Sequence, residues 1–167
     1  MTNSRFAIAL VLISCFLAGC QTTSEVVKEQ RELSDQNQNY LEAQSALDDL
    51  TERFKQAKTE DLEYYAAATM KAAKRKLKTA NEKFLTMRFD SSRAKRRLVE
   101  KIQSSVDDAN QLLDTAFRLK AAAETTLGES FAQIKRLEEL ETAKLFPSDY
   151  RDVKKVLDGL VKNIADG

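Results

Sequence analysis

Residues 94–117 read AKRRLVEKIQSSVDDANQLLDTAF. Apolar residues recur in this stretch every three or four positions, at Leu98, Ile102, Val106, Ala109, Leu113 and Ala116. That spacing places an apolar stripe along one face of an α-helix. A helix with such a stripe must pack against other helices, so the stretch predicts an all-α protein organised around this helix.

The same periodicity extends past this stretch through Leu127 and Ile134 as far as Lys144. Pro147 is the only proline, and it disfavours helical geometry at the residue before it, which predicts the end of the helix. Gly128 is either a flaw inside the helix, costing up to about 1 kcal/mol relative to alanine, or a C-cap that divides it. We expect the helix to continue, because neither an N-cap nor a proline follows the glycine directly.

Two further long helices are predicted on the N-terminal side. The first runs from about Glu25 to Lys58 and repeats an apolar residue every seven positions, with a second apolar position filled only in its later half. The second runs from about Asp61 to Arg88. Its stripe contains Leu62, Tyr65, Ala66, Met70, Ala73, Leu77, Ala80 and Phe84, and the alanines predict close approach of a neighbouring helix.

A short helix is predicted after Pro147, with an apolar side formed by Val153, Val156, Leu157, Leu160 and Ile164. Scarce glycine and proline agree with long helices throughout. The expected fold is an elongated antiparallel helical bundle resembling a coiled coil, with three long helices and a short C-terminal helix.

The N-terminus has the layout of a secretory signal. Arg5 is followed by an apolar run from Phe6 to Phe16, eleven residues long, and a transmembrane helix needs about 20. Residues 17–20 read LAGC, which resembles the lipobox of bacterial lipoproteins. The resemblance implies cleavage before Cys20 and covalent lipid on that cysteine. The alternative is an ordinary secreted protein with an incidental cysteine.

The resemblance also implies sorting and domain limits. Gln21 follows the cysteine where an aspartate favours retention in the inner membrane, so the expected location is the periplasmic face of the outer membrane, held by lipid. The predicted segments are a signal peptide at 1–19, a lipidated tether at 20–24 and one helical periplasmic domain at 25–167. Two or more acyl chains hold a protein stably on a membrane.

Composition argues against catalysis. The chain has no histidine, and Cys15 and Cys20 are its only cysteines, one in the predicted signal and one consumed by lipid. The commonest metal ligand and the commonest general acid–base group, both histidine, are therefore missing. The expected protein is not an enzyme and holds no metal and no cofactor besides the lipid.

Charge divides the chain into segments. Residues 24–64 carry eleven acidic and five basic side chains, whereas residues 71–101 carry twelve basic and three acidic ones. The basic segment is either neutralised by the acidic first helix or is a docking patch at a hairpin tip. The candidate patch contains Lys74, Arg75, Lys78, Lys83, Arg88, Arg93, Arg96 and Arg97. Its expected ligands are lipopolysaccharide, peptidoglycan or an acidic protein. Apart from Arg5 the charges balance, which predicts no nucleic-acid partner.

Residues 62–80 and the turn that follows, Arg88 to Ala94, resemble a family of alanine-rich helical lipoproteins with a domain of unknown function, often found beside OmpA-like domains. The resemblance covers about Leu62 to Ala116. It implies paired alanine-rich helices and carries over no catalytic or binding residue. The expected function is a scaffold or envelope-complex subunit, with an envelope protein or a second copy as partner. The alternative is a binding or chaperone-like module that uses the basic tip.

Overall fold

The computed structural model describes the backbone of residues 4–87 and 92–166. Side chains are described from residue 37 to 166, apart from 88–93, and at five positions between 27 and 34. Within these residues the secondary structure is helical and contains no strand, which confirms the all-α prediction. The helices are α1 (Ser4–Thr59), α2 (Leu62–Tyr65), α3 (Ala67–Met87), α4 (Ser92–Glu139), α5 (Thr142–Leu145) and α6 (Pro147–Asp166).

The first helix begins earlier than the sequence predicted. We expected a start near Glu25 after a polar tether at 20–24, but α1 begins at Ser4 and includes both the apolar leader and the tether. No proline occurs in this region, and Gly19 alone costs a helix only about 1 kcal/mol. The polar residues of the tether therefore continue the helix.

The second predicted helix is interrupted. The single turn α2 ends at Tyr65. The next residue, Ala66, has a φ of −148° and a ψ of 50°, which are not helical, and α3 starts directly after it. The N–H of Ala66 still donates a hydrogen bond to the carbonyl of Leu62. Alanine favours helix, so tertiary packing overrides local propensity at this position.

The long helix α4 is continuous through Gly128, as predicted, and a side chain at that glycine would meet open space. It ends at Glu139 instead of Lys144, because Glu141 adopts a left-handed conformation with φ 55°. Phe146, which precedes Pro147, has φ −133° and ψ 68°, which confirms the predicted break there.

Two turns of the chain, after α1 and after α4, have the same backbone conformation. Asp61 and Glu141 are both left-handed, with φ 53° and 55°, and each is followed by one helical turn, α2 or α5. Each turn closes with a non-helical residue, Ala66 or Phe146, before the next long helix begins. Left-handed residues stop helices, which explains why both long helices end just before them. The turns lie eighty residues apart, so two helical hairpins, α1–α3 and α4–α6, share one plan.

One core joins α1, α3 and α4. Its fully buried members lie at the predicted spacing and include Leu50, Leu62, Ala73, Ala80, Ile102, Ala109, Leu113 and Ala116. Lys76 lies 2.7 Å from Asp108 and Lys83 lies 3.0 Å from Ser105, so α3 runs antiparallel to α4. The sequence therefore identified most members of both stripes, but Tyr65 packs in a different core and the buried Met87 was not predicted.

A second, smaller core joins α4 and α6. It contains Leu127, Leu157 and Val161, with Tyr65, Phe131, Ile134 and Ile164 packed against it. The predicted apolar side of α6 was partly wrong. Val161, which was not predicted, is buried, whereas Val153, Val156 and Leu160 are exposed. Apolar residues occupy two edges of α6, and only one edge faces α4.

Candidate functional site

The basic residues of α3 line a shallow surface depression. Its walls are formed by Glu63, Ala67, Met70, Lys71, Lys74, Arg75 and Lys78. The side chains recur at helical spacing on one solvent-facing side, because the opposite side of α3 is buried against α4. The depression therefore presents an apolar floor of alanine and methionine bordered by positive charge.

Several of these cations have a nearby partner. Lys74 forms an ion pair with Glu63 of α2, and Lys78 lies 3.8 Å from Glu82 on its own helix. Lys83 donates to the hydroxyl of Ser105 at 3.0 Å. The ion pairs of Lys74 and Lys78 are solvent-exposed and contribute only about 0–1 kcal/mol each, so they hold these side chains weakly.

Three arginines of the predicted patch are exposed without an ion pair to any other described residue: Arg75, Arg96 and Arg97. Arg88 lies outside the described residues, and so does the side chain of Arg93.

The basic residues of the candidate patch are spread along the hairpin formed by α3 and α4. Arg96 and Arg97 stand in the first turns of α4, near the α3–α4 connection. Lys74 and Lys78 are ten to fourteen residues before that connection, which is roughly 15–20 Å of helix. The candidate patch therefore forms a strip along the hairpin.

The acidic first helix does not neutralise the strip within the described residues. In the ion pair between α1 and α4, the first helix supplies the cation and not the anion: Arg53 lies 2.5 Å from Asp114. Arg53 also donates to Asn110 at 2.7 Å. Lys120 of α4 pairs with Glu60, at the end of α1, and this hydrogen bond raises the pKa of Lys120. These contacts fix α1 beside α4.

A second polar cluster joins the first turn to α6. The hydroxyl of Tyr64 donates to Asp158 at 2.8 Å, and the ring of Tyr65 meets that of Phe131 edge-on at 6.1 Å. Burial raises the pKa of Tyr64, and the hydrogen bond to Asp158 raises it further. The protonated hydroxyl of Tyr64 therefore joins α2 to α6 through this hydrogen bond.

The predicted lipid site lies on α1. Cys20 and Gln21 both belong to this helix, and their side chains are outside the described residues. None of the helices, over the described ranges, combines the length and apolar character needed to cross a bilayer. Among the same residues no three potential metal-ligating side chains come together.

Comparisons with known proteins give no relative for this chain. No protein-family model, no curated protein and no solved structure matches it.

Proposed function

We propose that this protein is a lipoprotein anchored through Cys20 to the periplasmic face of the outer membrane, where it acts as a scaffold or as a subunit of an envelope complex. The observation that carries the proposal is the LAGC motif at residues 17–20, directly after an apolar run too short to span a bilayer. Gln21 supports outer-membrane sorting. Stable anchoring follows from the two or three acyl chains of a lipoprotein.

The shape of the chain supports a scaffold. The helix α1 continues from Cys20 to Thr59, a length of about 60 Å at 1.5 Å per residue. The later half of α1 packs in the core with α3 and α4. The helix α4 continues to Glu139. The interpretation is an elongated, coiled-coil-like bundle that projects from the membrane and offers long helical faces to partners.

A non-enzymatic role follows from the residue inventory. With no histidine and no free thiol after processing, acid–base or nucleophilic catalysis would rest on carboxylates and lysines. The described carboxylates nearest to cations, such as Glu63 and Asp108, form exposed ion pairs with lysines. Such pairs are typical of a solvated helix surface.

Replacing Cys20 with alanine tests the anchor. We expect complete loss of palmitate labelling and loss of the protein from the membrane fraction, because the lipid would have no other mature thiol to modify. The measurement is labelling of growing cells followed by fractionation. Cys15→Ser is the matched control, since that thiol lies in the predicted signal, and it should leave labelling unchanged. Unchanged labelling of Cys20→Ala would refute the lipoprotein proposal.

A second candidate function is binding of an anionic partner along the basic strip. It is supported by Arg75, Arg96 and Arg97, which are exposed and form no ion pair with a described residue. The ligands that fit this chemistry are the phosphates of lipopolysaccharide, the carboxylates of peptidoglycan or an acidic protein. An electrostatic contact of this kind weakens as salt rises.

Charge reversal at Arg93, Arg96 and Arg97 tests the strip. Changing all three to glutamate should leave helicity and melting nearly unchanged, because exposed pairs contribute under about 1 kcal/mol each. If the strip binds a partner, function in cells lacking the wild-type gene should be lost, because reversal turns attraction into repulsion.

The matched control reverses Arg151, Lys154 and Lys155, three exposed cations of α6. Full function in both triple variants would refute docking. A collapse of the melting temperature confined to the first variant would show that its arginines stabilise the fold, which also contradicts the proposal.

A further inference from the structure

One face of α4 is covered by other helices in the first half of α4 and borders an open groove in the second half. Residues seven apart on this face are Ala109, Ala116, Ala123, Ser130 and Leu137. The three alanines are buried, but Ser130 and Leu137 line an open groove. The ion pair between Lys76 and Asp108 shows that α3 lies along this side of α4. Because α3 begins only at Ala67, it leaves the far half of the face without a helix.

The other wall of the groove is the unpacked edge of α6. Val153, Val156 and Leu160 line it and are 48%, 64% and 42% exposed. The remaining lining residues are Gln133, Ile134 and Leu157, so the groove contains no charged side chain. A contiguous apolar surface bordered by polar residues can serve as an interaction site.

The groove continues the face of α4 that packs against α3. The occupant that fits it is therefore another helix with an apolar stripe, lying along α4. The chain itself offers such a stripe on the same two helices, α4 and α6, and a self-complementary face generates a twofold dimer. Two α4–α6 hairpins placed groove to groove form four helices around one core, which is a common bundle architecture.

Charges beside the groove favour one orientation. Arg136 precedes the lining residue Leu137 and Asp152 precedes Val153, and both are exposed without an ion pair to any described residue. Tyr150 contacts Glu138, so Arg136 and Asp152 stand at similar heights on the two antiparallel helices. A twofold axis parallel to the helices brings Asp152 of one copy to the height of Arg136 of the other.

We propose that a second copy of this chain fills the groove, forming a parallel homodimer through α4 and α6. The parallel orientation rests on the proposed function, because two copies anchored to one membrane project in the same direction. The apolar core of the dimer contains Val153, Val156, Leu160 and Leu137 of both copies. Arg136 and Asp152 flank this core and set its orientation.

Cross-linking of the full chain in its own membranes tests the dimer. The mature protein has no free thiol once Cys20 carries lipid, so a single new cysteine reports its own surroundings. Val156→Cys should give a species of twice the monomer mass with a short bis-maleimide. Leu85→Cys is the matched control, with 61% exposure at that leucine of α3, and should give none.

The orientation is tested by charge exchange in the Val156→Cys background. Arg136→Asp and Asp152→Arg should each lower the cross-linked fraction by about two- to fivefold, and combining them should restore it. A lack of restoration overturns the parallel arrangement.

The absence of a cross-linked dimer from Val156→Cys overturns the second copy as occupant, and so does equal cross-linking of Leu85→Cys. Cross-linking to a protein of different mass assigns the groove to another partner, which also overturns the dimer. Palmitate labelling of Cys20 is measured separately, so failure of the anchor and failure of the dimer give different results.

Discussion

Replacing Leu113 with alanine should lower the free energy of unfolding by about 2–5 kcal/mol. Leu113 is completely buried on α4, in the core that this helix shares with α1 and α3. Truncation removes apolar contacts and leaves a cavity that three packed helices close only in part. Urea unfolding followed by circular dichroism measures the loss.

The matched control is Leu41→Ala, since Leu41 of α1 is 63% exposed. Its effect should stay within about 0.5 kcal/mol, because surface substitutions away from special features change stability little. Equal effects at the two leucines would contradict the arrangement of α1, α3 and α4 around one core.

The central helix could be predicted from the sequence because its stripe is regular. Ile102, Ala109 and Leu113 lie at spacings that fit only a helix, and all three are fully buried. Gly128 does not interrupt α4, since an isolated glycine costs about 1 kcal/mol and the packing of the residues around it offsets this. Strong periodicity therefore determined both the class of fold and the continuity of α4.

The two turns could be located only approximately. The acidic residues around Asp61 indicated a restart, and Pro147 indicated the second break, but a non-helical Ala66 has no local signal. Contacts between residues distant in sequence lie beside the break, such as the hydrogen bond from Tyr64 to Asp158. A single sequence gives no information about such pairs.

The lack of information about contacts between distant residues also explains why the buried edge of α6 was assigned wrongly. It explains as well why the partners of the basic residues were not predicted. Valine and leucine occupy two edges of α6, and periodicity alone does not say which edge α4 covers. Val161 was therefore missed, while Val156 was assigned to a core that it does not enter. The composition of residues 71–101 likewise revealed the positive charge, but the partners of Lys74 and Lys83 depend on neighbouring turns and helices.

The second large expected effect on stability comes from enlarging a small side chain between α3 and α4. Buried alanines determine how closely these two helices approach each other. Ala73 and Ala80 of α3, and Ala66 just before that helix, recur every seven residues and are almost completely buried, as the sequence predicted. Replacing Ala73 with leucine should lower the free energy of unfolding by about 1–3 kcal/mol, since a packed interior admits extra methyl groups only by straining side chains or shifting backbone.

Ala68→Leu provides the control on the same helix, because Ala68 is exposed and leucine has nearly the helix propensity of alanine. Thermal and urea unfolding of the two variants separate packing from propensity: Ala73→Leu should lose stability and Ala68→Leu should keep it. If Ala73→Leu were as stable as the wild type, α3 and α4 would have room to move apart, and the small side chains would not be what determines their close packing.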